Sequence, residues 1–219
     1  MKNWMVILFV TGALTLSCYA QYDAIHQAAL DGDLDKVKVL LKANPKLVFS
    51  KVSTNDTYYA RHGYTPLLCA AEKGHKDVVE YLLANKADIK ATFANGWTAL
   101  HAAAYHGRKD VVELLLTHRA DINVKGLDGN TPLHLAAMGI DPKRKEIAEL
   151  LLANKAQINA QDAEGNTPLH IGALLGRTEM VRLLLDHRAD IAPKNKKGEM
   201  PLDLALRNGK KDVAELLRQ

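Results

Sequence analysis

Gly129-Asn130-Thr131-Pro132-Leu133-His134-Leu135-Ala136-Ala137 decides how this chain folds, because its opening half returns at regular intervals. It recurs as Gly63-Tyr64-Thr65-Pro66-Leu67, Gly96-Trp97-Thr98-Ala99-Leu100-His101, Gly165-Asn166-Thr167-Pro168-Leu169-His170 and Gly198-Glu199-Met200-Pro201-Leu202-Asp203. Successive glycines lie 33, 33, 36 and 33 residues apart. A fixed period of this length marks a stack of small units rather than one central core.

Each period carries a second signature downstream. Asp77-Val78-Val79-Glu80-Tyr81-Leu82-Leu83 is matched by Asp110 to Leu116, Glu146 to Leu152 and Glu179 to Leu185. Val111, Val112, Leu115 and Leu116 fall on one helical stripe that a single unit cannot bury. Ahead of it, Thr65, Thr131 and Thr167 read as helix N-caps with proline at the first helical position, where its missing N–H costs nothing. Gly74, Gly107, Gly176 and Gly209 close these first helices.

The period, the T-P-L-H opening and the paired helices resemble the ankyrin repeat, over roughly residue 21 to the end. The resemblance implies an all-α solenoid of six helix-pair units joined by β-turn fingers. The units are expected at 21–62, 63–95, 96–128, 129–164, 165–197 and 198–219. The first lacks the T-P motif and carries nine extra residues within 49–62, and the fourth gains three around Ile140-Asp141-Pro142. Both insertions are expected in loops. Arg207, Lys210, Lys211, Asp212, Glu215 and Arg218 give the last unit a polar outer face, as a terminal unit needs. Where the family usually has glycine after the second helix, this chain has Lys86, Arg119, Lys155 and Arg188. A left-handed conformation there costs about 1 kcal/mol, and a cation at a helix C-terminus returns about 0.3–1 kcal/mol.

Residues 1–20 differ from the rest. Lys2 precedes an apolar and small-residue stretch from Trp4 to Leu16, then Ser17-Cys18-Tyr19-Ala20, the layout of a signal peptide. The stretch is shorter than the roughly 20 residues a spanning helix needs. Cleavage after Ala20 would expose Gln21. Alternatively, Leu14-Thr15-Leu16-Ser17-Cys18 resembles a lipobox that would place a lipid on Cys18; an uncleaved anchor is the third possibility. The expectation is export from a bacterial cell, to the periplasm or outside the cell or, through Cys18, as an envelope lipoprotein. Either processing route leaves Cys69 as the sole thiol, so apolar packing and not a disulfide must hold the fold.

With 29 basic and 25 acidic side chains, the net charge of +4 does not point to nucleic acid. His101, His134 and His170 share one slot of the motif, and the resemblance implies that they hydrogen-bond between neighbouring turns. His62, His75, His106, His118 and His187 show no metal-ligand spacing, Cys69 lacks a histidine signature, and no nucleophile elbow or phosphate-binding loop is present. No cofactor, no metal and no catalytic residue are expected.

What the resemblance implies is a binding scaffold whose concave face meets a partner protein. Its variable positions project onto Tyr64, Lys73, Asn95, Trp97, Tyr105, His106, Asp128, Asn130, Met138, Leu174 and Leu175, with Glu72 and Leu127 beside them. Either Tyr64, Trp97 and Tyr105 form one aromatic patch, of the kind that anchors interfaces, or Trp97 and Tyr64 pack against the preceding turn. Leu174 and Leu175 either extend an apolar strip or fill space beside Gly172. Lys143-Arg144-Lys145 and Lys194 to Lys197 read as solvated faces. The array is expected to be a monomer. Two rival readings are an enzyme or metal-dependent protein using the 49–62 loop and a lipid-tethered spacer.

Overall fold

Alternating short helices run through the chain in the computed structural model, which describes residues 24–52, 63–139 and 141–218. The leader, with Cys18 and Ala20, lies outside these residues, as do 53–62 of the first insertion. Helix α1 covers 24–31 and α2 Leu34–Ala43, followed by a 3-10 turn at Pro45–Phe49. Then come α3 (Pro66–Lys73), α4 (Lys76–Ala84), α5 (Ala99–Tyr105), α6 (Lys109–Thr117), α7 (Pro132–Ala137) and α8 (Pro142–Ala153). The last are α9 (Pro168–Leu175), α10 (Thr178–Asp186), α11 (Pro201–Arg207) and α12 (Lys211–Leu216). Among the described residues there is no named strand, only an isolated bridge between Thr92 and Thr98, and no helix long and apolar enough to cross a membrane.

The first helices α3, α5, α7, α9 and α11 pack in series as one layer, and α4, α6, α8, α10 and α12 form the second. Their apolar stripes meet between the layers. Leu67, Leu100, Leu133 and Leu169 from the first layer, with Leu82, Leu115, Leu151 and Leu184 from the second, are essentially without solvent exposure. Cys69 is buried in the same core.

The register between neighbours is set by the motif histidines. The backbone N–H of Thr98 donates to Nδ1 of His101 at 3.1 Å, and the same bond joins Thr131 to His134 and Thr167 to His170. An Nδ1 that accepts has no proton, so Nε2 carries it. Nε2 then donates to the carbonyls of Asn130, Asn166 and Glu199, each in the following finger, at 2.9, 3.0 and 3.1 Å. His26 makes the corresponding contact with the Ser50 carbonyl. In the second unit Leu68 occupies the slot, and in the last unit Asp203 caps the Met200 N–H instead.

Adjacent fingers also bond edge to edge. Leu127, Ala163 and Lys196 donate backbone N–H groups to the carbonyls of Asn95, Asp128 and Glu164 at 2.9–3.0 Å. Gly96 and Gly165 sit beneath these contacts: each has φ near +80°, and a Cβ on either would lie within 2.9 Å of the next finger's backbone nitrogen. Only glycine meets both requirements.

Two expectations change. The three extra residues of the fourth unit do not form a loop. They add a turn to α8, which has 12 residues where α4, α6 and α10 have nine, with Asp141 capping it and Pro142 at its start. Space beside Gly172 is not filled by Leu174 or Leu175, because Val181 of α10 already closes to 3.1 Å from where a Cβ would stand. Lys86, Arg119, Lys155 and Arg188 do adopt positive φ, between 62° and 69°, so the expected strain is present at all four.

Burial depresses the pKa values of His101, His134 and His170 below the ordinary histidine value, against the pull of their carbonyl partners. The unfolded chain therefore binds protons near pH 6.5 that the folded chain refuses. Stability is full above that pH and falls as pH drops from it toward the depressed values. Urea midpoints should decrease from pH 7.5 to pH 5 in step with uptake of as many as three protons on unfolding; a flat profile would show that these rings are not held neutral.

Candidate functional site

Where the residue that follows a finger glycine is aromatic, it reaches onto the following finger, and its size decides what the surface becomes. Tyr64 meets Phe93 edge-on with ring centroids 4.3 Å apart. Trp97 lies across Gly126, whose Cβ, if present, would stand 2.6 Å from the indole Cδ1. Its Nε1–H donates to the Asp128 carboxylate at 3.3 Å. Both aromatics thus pack on the following turn, not the preceding one, while staying half-exposed.

From there the aromatic contacts continue. Trp97 is 5.5 Å from Tyr105 and stacks at 6.2 Å on His101, and Tyr105 meets His106 edge-on at 5.1 Å. Tyr64, Phe93, Asn95, Trp97, Tyr105 and His106, with Glu72, line one groove of about 290 Å³ between α3, α5 and the finger at 93–97. Such rings offer much area at little entropic cost. Packing and patch are therefore the same residues: each ring packs on a neighbour and also borders the groove.

Electrostatics around the groove follow from these contacts. Partial burial alone would raise the Asp128 pKa, but hydrogen bonds from Asn130 and Trp97 outweigh it and hold the carboxyl below its usual range. Burial lowers the His106 pKa, with Arg108, Lys73 and Arg144 adding to the effect against the attraction of Glu72. Lys73 pairs with Glu72 at 3.2 Å and borders a neighbouring groove with Arg108 rather than the aromatic one.

Asn130 is not a surface residue. It is 8% exposed, and its backbone N–H and Nδ2 both donate to the Asp128 carboxylate. At the next interface Asn195 Nδ2 donates to Asn166 Oδ1 at 3.0 Å. The residue placed like Asn195 toward Asn130 is Asp162, whose carboxylate has no N–H to give, and Asn130 Oδ1 is buried without a partner. Met138 and Leu175 come together with Tyr105 in a second groove of about 380 Å³. Leu174 is half-buried and borders neither of these two grooves.

Three contributors escape a reading by motif alone. Phe93 stands three residues before a finger glycine, where Gly126, Asp162 and Asn195 stand elsewhere, and is the one aromatic in that column. Gly126 is the platform for Trp97. Arg144 is not a solvated charge: it is half-buried, with its guanidinium carbon 4.9 Å from the Tyr105 ring centroid. Its register gives it away, since Arg108, Arg144, Arg177 and Lys210 each precede the apolar pair of a second helix by three residues. Arg108 and Arg177 donate Nε–H to the carbonyls of Glu72 and Met138 in the preceding unit, at 3.1 Å each.

Helix pairs stacked in register through a T-P-L-H histidine, with glycine fingers bonded edge to edge, agree with the family comparison. The ankyrin-repeat family model matches three times, over residues 8–93, 89–162 and 133–219. The chain belongs to the ankyrin-repeat family. Ankyrin repeats generally mediate protein–protein interaction and are typically non-catalytic. No curated relative matches the chain. Among the described residues no three His, Cys, Asp or Glu side chains converge as a metal site; His62 and most of the 49–62 insertion fall outside them.

The fit of Trp97 over Gly126 predicts a steric effect free of backbone strain, because Gly126 does not have a positive φ. In a Trp4→Phe background, Gly126→Ala should push the indole outward and red-shift its emission while leaving helicity unchanged. An unshifted spectrum would mean that the ring does not rest there.

Proposed function

We propose that this chain is a non-catalytic scaffold that binds a partner protein on the face formed by its first helices and finger tips, the concave face expected of six stacked units. The observation that carries this reading is the groove in which Tyr64, Phe93, Trp97 and Tyr105 converge beside Glu72 and His106. Side chains committed only to packing would be covered, whereas Tyr64, Trp97 and Tyr105 are only partly buried and His106 is exposed. Leu127 extends the apolar surface at a neighbouring finger tip, with 78% of its area in solvent.

The inserted segment supports the same location. Val52 donates to the Tyr64 carbonyl at 2.9 Å and accepts from the Gly63 N–H at 3.2 Å, so the described residues on either side of the insertion meet beside the first ring of the groove.

We further propose that the protein is exported, as a periplasmic, secreted or lipid-anchored form, from the charge and apolar pattern of residues 1–20. The first family match begins at residue 8, so the boundary between leader and array is a question for the mature chain. Mass spectrometry of the native protein should find an N-terminus at Gln21, or a lipid on Cys18; an intact Met1 would overturn the proposal.

Trp97→Ala combined with Tyr105→Ala removes two adjacent rings of the groove. The double variant should keep its helical circular dichroism and lose capture of the partner from an envelope or secreted fraction by more than tenfold, in the range of an interface hot spot. Undiminished capture by a folded variant would place the binding face elsewhere.

A further inference from the structure

South of the aromatic groove in chain order, a second concavity of about 380 Å³ is bordered by Tyr105, Met138, Asp141, Arg144, Leu175 and Arg177. We infer that this groove takes an acidic segment of the partner, with a carboxylate between Arg144 and Arg177 and the adjacent apolar side chain on Met138 and Leu175. The inference rests on the proposed binding face and names the chemistry that face selects.

Both guanidiniums are held in place without being neutralised. Arg144 runs over Gly139, where a Cβ would fall within its side chain, and ends above the Tyr105 ring. Arg177 is fixed by its Nε–H bond to the Met138 carbonyl. Among the described residues, neither has a carboxylate oxygen within 4.0 Å, although Lys73, Lys109, Lys145 and Arg207 all do. The Asp141 carboxylate borders the groove but caps α8 through the Lys143 N–H. Two cations therefore face one carboxylate, which leaves the groove with an excess of positive charge.

Placing two like charges in a partly dry groove is unfavourable, and an incoming anion offsets it. Burial and the neighbouring Arg177 lower the Arg144 pKa, against the pull of Tyr105 and Asp141. Arg is suited to this task because its planar fork meets a carboxylate with two parallel hydrogen bonds. Met138, Leu175 and the Tyr105 edge add an apolar wall, which favours a peptide bearing an acidic residue beside an apolar one over a bare anion. Nucleic acid fits poorly: a base needs an open aromatic face to stack on, and Tyr105 is flanked by Arg144, Trp97 and His106.

The test is selection of a phage-displayed random dodecapeptide library on the full chain, followed by fluorescence anisotropy with fluorescein-labelled copies of the enriched peptides. Enriched sequences should place Asp or Glu next to Leu, Ile or Phe. Changing that acid to its amide, or making Arg144→Met, which keeps a side chain over Gly139 and Tyr105, should each weaken binding about tenfold, as loss of a charged hydrogen bond does. The two changes together should cost little more than either alone. Because the amide change is made in the peptide, the result does not depend on the folding of a variant. Enrichment of basic or uncharged peptides, additive effects of the two changes, or equal affinity for a fluorescein-labelled single-stranded hexanucleotide would overturn the inference. If Trp97→Ala with Tyr105→Ala abolishes peptide binding while Arg144→Met and the amide change do not, the acidic assignment fails and the binding face stands. If none of them matters, both fail.

Discussion

A buried imidazole that accepts from its own helix cap and donates to the next finger is the contact on which this architecture depends. Apolar stripes between layers supply attraction, but attraction without direction permits neighbouring units to slide. The bond from Nε2 to a single backbone carbonyl, made by His101, His134 and His170, fixes one register. Once the register is fixed, the fingers approach closely enough to bond edge to edge, and that approach demands glycine at the finger turns. The groove inherits its geometry from the same spacing, since Trp97 can reach Gly126 and Asp128 only if adjacent fingers are in step. Where the histidine is missing, at Leu68, the Tyr64 and Phe93 rings meet across the corresponding finger interface and supply directional packing instead.

The fold was legible because each of its causes is local and repeated. Thr-Pro at a helix start, glycine at its end and a two-by-two apolar stripe are short-range signals, and recurrence turns weak signals into a strong one. Even the strain at Lys86, Arg119, Lys155 and Arg188 could be read, because the backbone there is dictated by the repeat and not by the side chain. The site was legible only in part. Trp97 and Asn130 occupy the same slot, yet one borders a groove and the other is buried. Trp97 covers a glycine in the next finger, whereas Asn130 turns inward onto Asp128. Such outcomes depend on pairs of residues about thirty positions apart, which a reading of one column at a time does not combine.

The fourth unit shows how a small insertion relocates a charge. Three residues placed between two helices are ordinarily assigned to a loop, but Asp141 and Pro142 form a strong helix start and the extra residues become a turn of α8. Arg144 keeps its register with Arg108 and Arg177 relative to the apolar pair of its helix, but its surroundings have changed. In place of the Nε–H bond to a backbone carbonyl made by Arg108 and Arg177, its guanidinium lies on the Tyr105 ring. A structural tie between units has become a cation at the edge of a groove.

These differences give the array two ends of unlike character. Between the second and fourth units, the slot after the finger glycine holds Tyr64 and Trp97, and the interfaces there are made with rings that remain partly exposed. Between the fifth and sixth units the same slot is polar: Asn166 accepts from Asn195, and Glu199 accepts from Asn195 Nδ2, donates its backbone N–H to Asn195 Oδ1 and pairs with Arg207. Polar ties of this kind satisfy one another inside the protein and leave little apolar surface over. Aromatic ties bring apolar area to the surface that amides do not. A repeat protein can therefore open an apolar groove without adding an element, by substituting rings for amides at a position whose backbone is already fixed. The cost falls at the junction, where Asp162 stands in the place of Asn195 and offers no side-chain N–H, and Asn130 keeps a buried amide oxygen unpaired.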